Sequence, residues 1–304
     1  MDKIFRWLSG TKDNKPKPTP AQDLTNTAPL SEQQIQAIVT NQNPRFDLQQ
    51  LISSCGQSVG KQRELNEDSL LTITAMMAGN AGNLPFGLYI VADGMGGHQF
   101  GEVASNAAIR TVAGYILRKF HPYLFHIKSD TMDESFQEIM QAAVSEAQRA
   151  IQREAPGSGT TLTAALVLGQ QITVAHIGDS RAYFIYPDGR VEPITRDHSL
   201  VKRLEELGHI TPDEAANYPH RNVLYRALGQ GEILDPDIFT VGFPQPGYLM
   251  ICSDGLWGVL TEQDLTRAVI EAPSLQRACQ NLVNAANAAG GPDNISVVIA
   301  QLIG

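Results

Sequence analysis

Three apolar segments, at residues 160–169, 171–178 and 181–187, follow one another with almost no chain between them. Each has the length of a strand and is rich in β-branched, aromatic or other apolar residues. Only antiparallel hairpins can join strands across such short gaps, because a parallel pair needs a crossover of a dozen or more residues. Pro187-Asp188-Gly189 adds a turn after the third segment. The chain is therefore predicted to contain an antiparallel sheet.

Helices and further strands surround these hairpins. The hydrophobic pattern predicts helices at about 102–120, 131–154, 199–208, 261–271 and 274–288, and further strands at 86–92, 236–243, 247–253 and 294–302. Long helices that flank two sets of mainly antiparallel strands indicate the α+β class. We expect a four-layer α-β-β-α sandwich, with the helices outside two sheets.

The first 50 residues differ in composition from the rest of the chain. Residues 9–32 are rich in Pro, Thr, Asn and Lys and contain almost no large apolar side chains, so they bury too little surface to fold. We interpret residues 1–50 as a disordered or weakly structured tail or linker. Residues 51–304 are predicted to form one domain.

Charge and cysteine content exclude several classes of function. With 23 Lys and Arg against 32 Asp and Glu, the net charge of -9 disfavours binding to nucleic acid or anionic lipid. The three cysteines, Cys55, Cys252 and Cys279, are widely spaced, which argues against a disulfide framework and a thiolate zinc site. Without a signal peptide or an apolar run long enough to cross a bilayer, the chain is expected to be cytoplasmic.

Four short segments place an acidic residue at the end of an apolar strand, next to a turn-forming residue. They are Glu67-Asp68, Asp93-Gly94, Asp254-Gly255 and Asp293-Asn294. Each alone is most simply a turn. Together they suggest more, because carboxylates near a core are costly unless positive charge neutralises them, and no matching run of Lys or Arg is present. Oxygen ligands of this kind suit Mg²⁺ or Mn²⁺, so the pattern predicts a dinuclear metal centre.

These segments belong to a longer series that resembles one family. The series comprises residues 63–68 (RELNED), 91–105 (VADGMGGHQFGEVAS), 159–161 (GTT), 178–183 (GDSRAY), 195–199 (TRDHS), 226–229 (RALG), 252–256 (CSDGL) and 291–298 (GPDNISVV). In this order it resembles the bacterial branch of the metal-dependent protein phosphatases, type 2C, over about residues 55–302. The resemblance implies hydrolysis of phosphoserine and phosphothreonine in proteins, by water that two Mn²⁺ or Mg²⁺ ions activate.

The resemblance also implies roles for single residues. Asp93 would bridge the two metals, the Gly94 carbonyl would bind one of them, and Asp254 and Asp293 would hold the other. Asp179 resembles a residue that contributes to a third, weaker metal site together with the aspartate matching Asp254. The alternative for Asp179 is a turn between strands.

On the substrate side, an arginine four residues before the first acidic motif grips the phosphate in this family, and Arg63 has that spacing to Glu67. Its planar guanidinium suits phosphate oxygens. Either Glu67 or Asp68 would complete the metal shell, and the sequence leaves this choice open.

The chain departs from the eukaryotic pattern of the family, in which a histidine after the Asp-Gly pair is taken as the general acid. Met95 stands at that position, and His98 follows three residues later. We interpret His98 and His198 as structural and expect a metal-bound water to supply the proton. Residues 198–235 resemble the mobile flap of bacterial relatives. His209, His220 and Arg221 in this segment are candidates for contact with a phosphoprotein; the alternative is that they are solvated loop charges.

Other functions are less well supported. A non-catalytic regulatory module would be expected to lack metal ligands, whereas every acidic position of the motif is filled. A phosphatase dedicated to an anti-sigma-factor antagonist or a small phosphorylated substrate would share the same ligands. Ser180 lacks the GxSxG context of a nucleophile, and residues 94–97 (GMGG) lack the spacing of a nucleotide-binding loop. The expected partners are phosphoprotein substrates and a cognate Ser/Thr kinase, and the enzyme is expected to be a monomer.

Overall fold

Two antiparallel sheets pack face to face and carry helices on both outer sides in this computed structural model. The structure describes residues 49–79, 82–96, 100–124, 133–211, 214–215, 218, 222–231 and 234–304. The predicted four-layer sandwich is confirmed.

The strands are β1 (Gln50–Ser58), β2 (Asp68–Gly79), β3 (Gly82–Met95), β4 (Gly159–Thr160), β5 (Leu162–Leu168), β6 (Gln171–Ile177), β7 (Arg181–Ile185), β8 (Val191–Pro193), β9 (Asp237–Gly242), β10 (Tyr248–Cys252) and β11 (Ile295–Ile303). The helices are α1 (Gly101–Leu124), α2 (Phe136–Glu154), α3 (Leu200–Glu206), α4 (Asp254–Trp257), α5 (Glu262–Ile270) and α6 (Leu275–Ala288). The first sheet has the order β1-β11-β10-β7-β8 and the second has β2-β3-β5-β6-β9, with β4 paired to β3.

Alternation along β3 shows how the layers are held together. Leu88 and Ile90 face the cluster that α1 and α2 form on the second sheet, whereas Tyr89 and Val91 face the first sheet. All four side chains are fully buried. Successive side chains of a strand point to opposite faces, so one strand contributes to two cores. A third cluster packs α5 and α6 against the outer face of the first sheet.

Several element boundaries differ from the sequence-based expectation. Helix α2 begins at Phe136 rather than at 131, because Ser135 caps it in a reciprocal capping box with Glu138. The apolar run 160–169 is divided between β4 and β5. Strands β1 and β2, together with the short β8 and α4, were not predicted as separate elements.

The predicted tail at residues 1–50 lies almost wholly outside the described residues and stays a prediction. Within the described ranges, no helix combines the length and the apolar character that crossing a bilayer requires.

Candidate metal centre

The predicted acidic residues come from both sheets. Asp68 begins β2 and is paired in register with Asp93 near the end of β3. Asp254 follows β10 and Asp293 precedes β11, which is the neighbour of β10 in the first sheet. In antiparallel strands the start of one lies beside the end of the next. The expectation that each acid ends a strand is therefore wrong for Asp68 and Asp293, which stand at strand beginnings. Because the strands are antiparallel, these two acids still lie at the same end of the sheets as Asp93 and Asp254.

A hydrogen bond joins the two halves of this acidic cluster. The Ser253 hydroxyl donates to Asp68 Oδ2 at 2.7 Å, and the Ser296 N–H donates to Ser253 Oγ at 2.9 Å. Ser253 directly precedes Asp254, so the contact fixes the end of β10 against the beginning of β2. Because the two serines are buried, this link between the sheets is shielded from water.

The carboxyl groups are close enough to affect one another's ionisation. Burial raises the pKa of Asp93 well above its usual value, and the charges of Asp68, Asp254, Asp179 and Asp293 raise it further. Burial is also the main reason why the pKa of Asp68 rises to about 7, although its hydrogen bond from Ser253 opposes the shift. An excess of buried negative charge of this kind calls for a positive ligand.

The donor set fits hard divalent cations. Among the described residues, no hydrogen-bond donor reaches Asp68 Oδ1, although the side chain is only 6% exposed. Oxygen is the ligand atom that Mg²⁺ and Mn²⁺ prefer, and no thiol or imidazole belongs to the predicted ligand set. Within the described ranges, however, no three acidic, imidazole or thiol groups are gathered closely enough to enclose one ion. The carboxylates are neighbours without forming a closed shell, and the individual ligands stay predictions.

Close backbone packing requires glycine after Asp93. A Cβ atom at Gly94 would lie 2.2 Å from the carbonyl oxygen of Gly101 and 2.6 Å from that of Glu67, so no larger residue fits. Thr161 fixes the other side: its Oγ1 accepts the Asp93 N–H at 2.9 Å, and its own N–H donates to the Asp93 carbonyl at 2.8 Å. The backbone around Asp93 is thus held on both sides.

Glu67 directly precedes β2 and contacts the first residue of α1. Its carboxylate accepts the Gly101 N–H, while burial and the nearby charge of Glu102 raise its pKa. Its main-chain carbonyl accepts the Ser105 hydroxyl at 2.6 Å. Glu67 is therefore anchored through both its side chain and its backbone.

Arg63 lies at the rim of the cluster. Its Nη2 donates to Asp293 Oδ2 at 2.7 Å, and its side chain is 49% exposed. The hydrogen bond with Asp293 is the main reason why the pKa of Arg63 is raised. The structure therefore places the predicted phosphate-binding residue beside a predicted metal ligand, with its guanidinium open to solvent.

Asn294 is a functional residue to which the sequence analysis gave no role. Its Oδ1 accepts the Glu67 N–H at 2.8 Å, and its Nδ2 donates to the carbonyls of Val59 and Leu65 at 2.8 and 2.9 Å. One side chain thus fixes the loop that carries Arg63 and Glu67. Asparagine commonly bonds the backbone in this way, and its place beside Asp293 was the available sequence clue.

Asp179 lies in the short connection between β6 and β7, as the turn alternative expected, and its side chain is buried there. Its carbonyl accepts the Trp257 indole N–H at 2.9 Å. Burial raises the pKa of Asp179 well above its usual value, and the charge of Asp254 adds to the increase. These interactions place Asp179 at the Asp254 side of the cluster.

The histidines of the sequence analysis lie elsewhere or outside the described residues. His198 is buried, its Nδ1 accepts the Gly178 N–H at 3.2 Å, and its Nε2 lies 3.2 Å from Asp237 Oδ2. Met95 is half-buried at the end of β3, whereas His209 is exposed. His98, His220 and Arg221 lie outside the described residues.

Comparison with known proteins gives one consistent result. The chain matches the family described as Protein phosphatase 2C over residues 55–292, a span that ends one residue before Asp293. It is 35% identical over 222 residues to the serine/threonine phosphatase stp of Listeria innocua, covering 70% of this chain and 84% of that protein. It is 32% identical to the serine/threonine protein phosphatase PstP of Mycobacterium tuberculosis over 250 residues, covering 80% of this chain and 43% of that protein.

Solved structures agree with these sequence matches. The crystal structure of the M. tuberculosis phosphatase PstP/Ppp superposes with a TM-score of 0.67 at 32% identity, covering 83% of this chain and 98% of that one. The PstP catalytic domain in complex with two manganese ions superposes with a TM-score of 0.66 at 31% identity, covering 84% and 100%.

Proposed function

Because this chain belongs to the protein phosphatase 2C family, we propose that its acidic cluster hydrolyses phosphoserine and phosphothreonine in proteins, with two Mn²⁺ or Mg²⁺ ions as cofactors. It is a protein-serine/threonine phosphatase, a phosphoric monoester hydrolase. One observation carries the assignment of the site: the backbone of Asp93 is held by Thr161 at a position where burial raises the pKa of its carboxyl and four other aspartates raise it further. Such a position is unfavourable for a structural acid and suitable for a cation ligand.

The ligands follow from the placement of the acids. Asp93 would hold both cations and the Gly94 carbonyl would bind one of them. Asp254 and Asp293 would hold the other, and Glu67 or Asp68 would complete the shell. When bound, the two cations supply positive charge for the phosphate oxygens and lower the pKa of a water molecule for in-line attack. The negative charge of the cluster would then be balanced, which removes the mutual repulsion of the carboxylates.

We infer that Arg63 binds the substrate phosphate. Its exposed guanidinium can offer paired N–H donors to non-bridging phosphate oxygens, and its bond to Asp293 keeps it at the rim. Neutralising charge on the transferring group is the main contribution a protein makes to this reaction. Met95, which has no proton to give, occupies the position of the eukaryotic histidine. The proton for the leaving serine or threonine oxygen would therefore come from water.

The first test measures hydrolysis of p-nitrophenyl phosphate and of a phosphothreonine peptide. We expect activity with Mn²⁺ or Mg²⁺, none after chelation, and recovery when the metal is restored. Asp93→Asn should lower kcat by about 100-fold or more at saturating metal, since an amide cannot supply the bridging charge. Asp188→Asn, at an exposed turn far along the chain, is the control. Activity that survives chelation would contradict the metal mechanism.

The cellular setting is part of the proposal. The relatives are named serine/threonine phosphatases. We infer that this enzyme works in the cytoplasm on signalling proteins that a cognate Ser/Thr kinase phosphorylates. The three cysteines, all unpaired, support a reducing compartment. Phosphoproteomes of cells with active and with Asp93→Asn enzyme should differ at phosphoserine and phosphothreonine sites. Identical phosphoproteomes, or changes confined to small phosphorylated metabolites, would contradict the protein substrate class.

A further inference from the structure

Arg181 stands at the centre of a set of contacts that the reaction described above does not use. Its guanidinium forms two hydrogen bonds with Asp197, from Nε to Oδ1 at 2.9 Å and from Nη2 to Oδ2 at 2.8 Å. The same guanidinium lies over the Trp257 ring, with Cζ 3.5 Å from the ring centroid. Although burial lowers the pKa of Arg181, the hydrogen bonds and charge of Asp197 raise it overall, so the group stays charged.

Trp257 connects this contact to two acids of the cluster. Its indole N–H donates to the Asp179 carbonyl at 2.9 Å. It also closes the single helical turn that begins at Asp254, where the Gly258 N–H donates to the Asp254 carbonyl at 2.8 Å. Residues three apart on a helix share one face, so the indole is placed relative to both Asp179 and Asp254.

The other end of the same set of contacts is the start of the segment named above as the flap. Asp197 directly precedes His198, whose N–H donates to the Gly178 carbonyl at 2.7 Å and whose Nδ1 accepts the Gly178 N–H. Gly178 in turn precedes Asp179. The flap therefore begins from a backbone that is bonded to the loop carrying Asp179.

We propose that Arg181 and Trp257 are positioning residues that set the separation of Asp179 and Asp254 and link it to the start of the flap. The proposal rests on the proposed function, because the separation matters only if these acids hold a cation. Two like charges that lie close together tend to move apart, and the contact between the Arg181 guanidinium and the Trp257 ring resists this movement. Replacing residues that orient metal ligands typically lowers metal affinity 10–100-fold.

The test uses two conservative variants of the full chain. Trp257→Phe keeps an aromatic ring for stacking but removes the indole N–H, and Arg181→Lys keeps the charge but loses the planar fork. Arg190→Lys is the matched control, since Arg190 lies 3.8 Å over the Tyr186 ring beside acidic neighbours in an exposed turn. Calorimetry with Mn²⁺ alone, after chelator removal, measures each binding event.

We expect the weakest Mn²⁺ binding event to lose about 10–100-fold in affinity in both variants and to be unchanged in Arg190→Lys. Trp257 gives a second readout, because Trp7 is the only other tryptophan. In a Trp7→Phe background, indole emission should change with Mn²⁺, and Arg181→Lys should shift the midpoint of that change by the same factor. Hydrogen exchange at 195–206 should also be faster in Arg181→Lys.

Affinities within twofold of the parent in both folded variants would overturn the inference. If Arg181→Lys does not fold, Trp257→Phe decides; if neither folds while Arg190→Lys does, the pair is a folding determinant and the positioning role is wrong. An inactive parent chain would contradict the proposed function itself. An active parent with unchanged variants would contradict the positioning role alone.

Discussion

At the scale of single residues, the acidic cluster combines burial with repulsion. Asp68 is almost fully buried and has a pKa raised to about 7, mainly by burial and further by the charges of Asp254 and Asp293. A folded-state pKa above the unfolded value of 3.8 means that the folded protein favours the protonated acid. Stability from this group is full below about pH 4 and is lost as the pH rises through about 7.

Asp68→Asn should therefore flatten the pH dependence of stability in chelator-treated protein. The parent chain should lose free energy of unfolding between pH 5 and 8.5, and the variant should lose less, by roughly 3 kcal/mol, since the amide never ionises. Urea denaturation at each pH measures the difference. Asp188→Asn, an exposed acid, serves as the control. Parallel curves for Asp68→Asn and the parent would show that this carboxyl is ionised at no cost.

At the scale of elements, Asn294 attaches the loop before β2 to the start of β11. Its amide forms three hydrogen bonds to main-chain atoms of Val59, Leu65 and Glu67. Asn294 is only 5% exposed. If its side chain were removed, the loop N–H and carbonyl groups would lose their hydrogen-bond partners where little water can replace them. The position of Arg63 therefore depends on a residue at the beginning of β11.

Asn294→Ala should cost about 2–4 kcal/mol in free energy of unfolding and should raise KM for a phosphopeptide, because the loop that carries Arg63 is released. Urea unfolding and steady-state kinetics measure the two effects. Gln170→Ala is the control. It removes an exposed side-chain hydrogen bond to Gln49 and should change neither the free energy of unfolding nor KM. A destabilised variant with an unchanged KM would separate the loop from substrate binding.

The elements differ in how far the sequence determined them. The apolar run at 86–92 predicted only the middle of β3. The two ends of this strand carry polar residues, such as Asp93, which pairs with Asp68 of β2, and so they lack the apolar pattern. Strand β2 escaped prediction since it is an edge strand with partly exposed side chains and no sharp alternation. The start of α2 was predictable, because Ser135 and Glu138 have the spacing of a capping box.

The site was predictable to a similar extent. An apolar run stands beside each of four acids, Asp68, Asp93, Asp254 and Asp293. The sequence alone therefore predicts that these acids lie at the ends of strands. The contacts that hold them, such as Ser253 to Asp68, join residues 185 positions apart and leave no local pattern. Side-chain geometry of this kind depends on how the two sheets pack, which spacing alone does not encode.

At the scale of the whole molecule, the described domain contains every element of the two sheets, every predicted metal ligand and Arg63. The family match begins at residue 55, beyond the predicted tail. The first 48 residues lie outside the described ranges. Their contribution to catalysis is therefore a question for truncation.

Deleting residues 1–48 should leave kcat and KM on p-nitrophenyl phosphate within about twofold of the full chain, since the family match begins only at residue 55. Light scattering on both chains should give the mass of one copy. The control truncation removes residues 1–60 and with them β1, which pairs along its whole length with β11; it should unfold. A large loss of turnover in the shorter deletion would make the segment part of the enzyme.

The position of the cluster between the two sheets bears on when the enzyme becomes active during its synthesis. Asp293 and Asn294 are translated after the other residues of the acidic cluster, and β11, which follows them, lies between β1 and β10. A nascent chain that is still held by the ribosome at this point has neither a complete first sheet nor its full set of carboxylates. Phosphate removal would therefore begin only after β11 has been made and has paired with β1 and β10, and products terminated before Asp293 would be inert toward phosphoproteins.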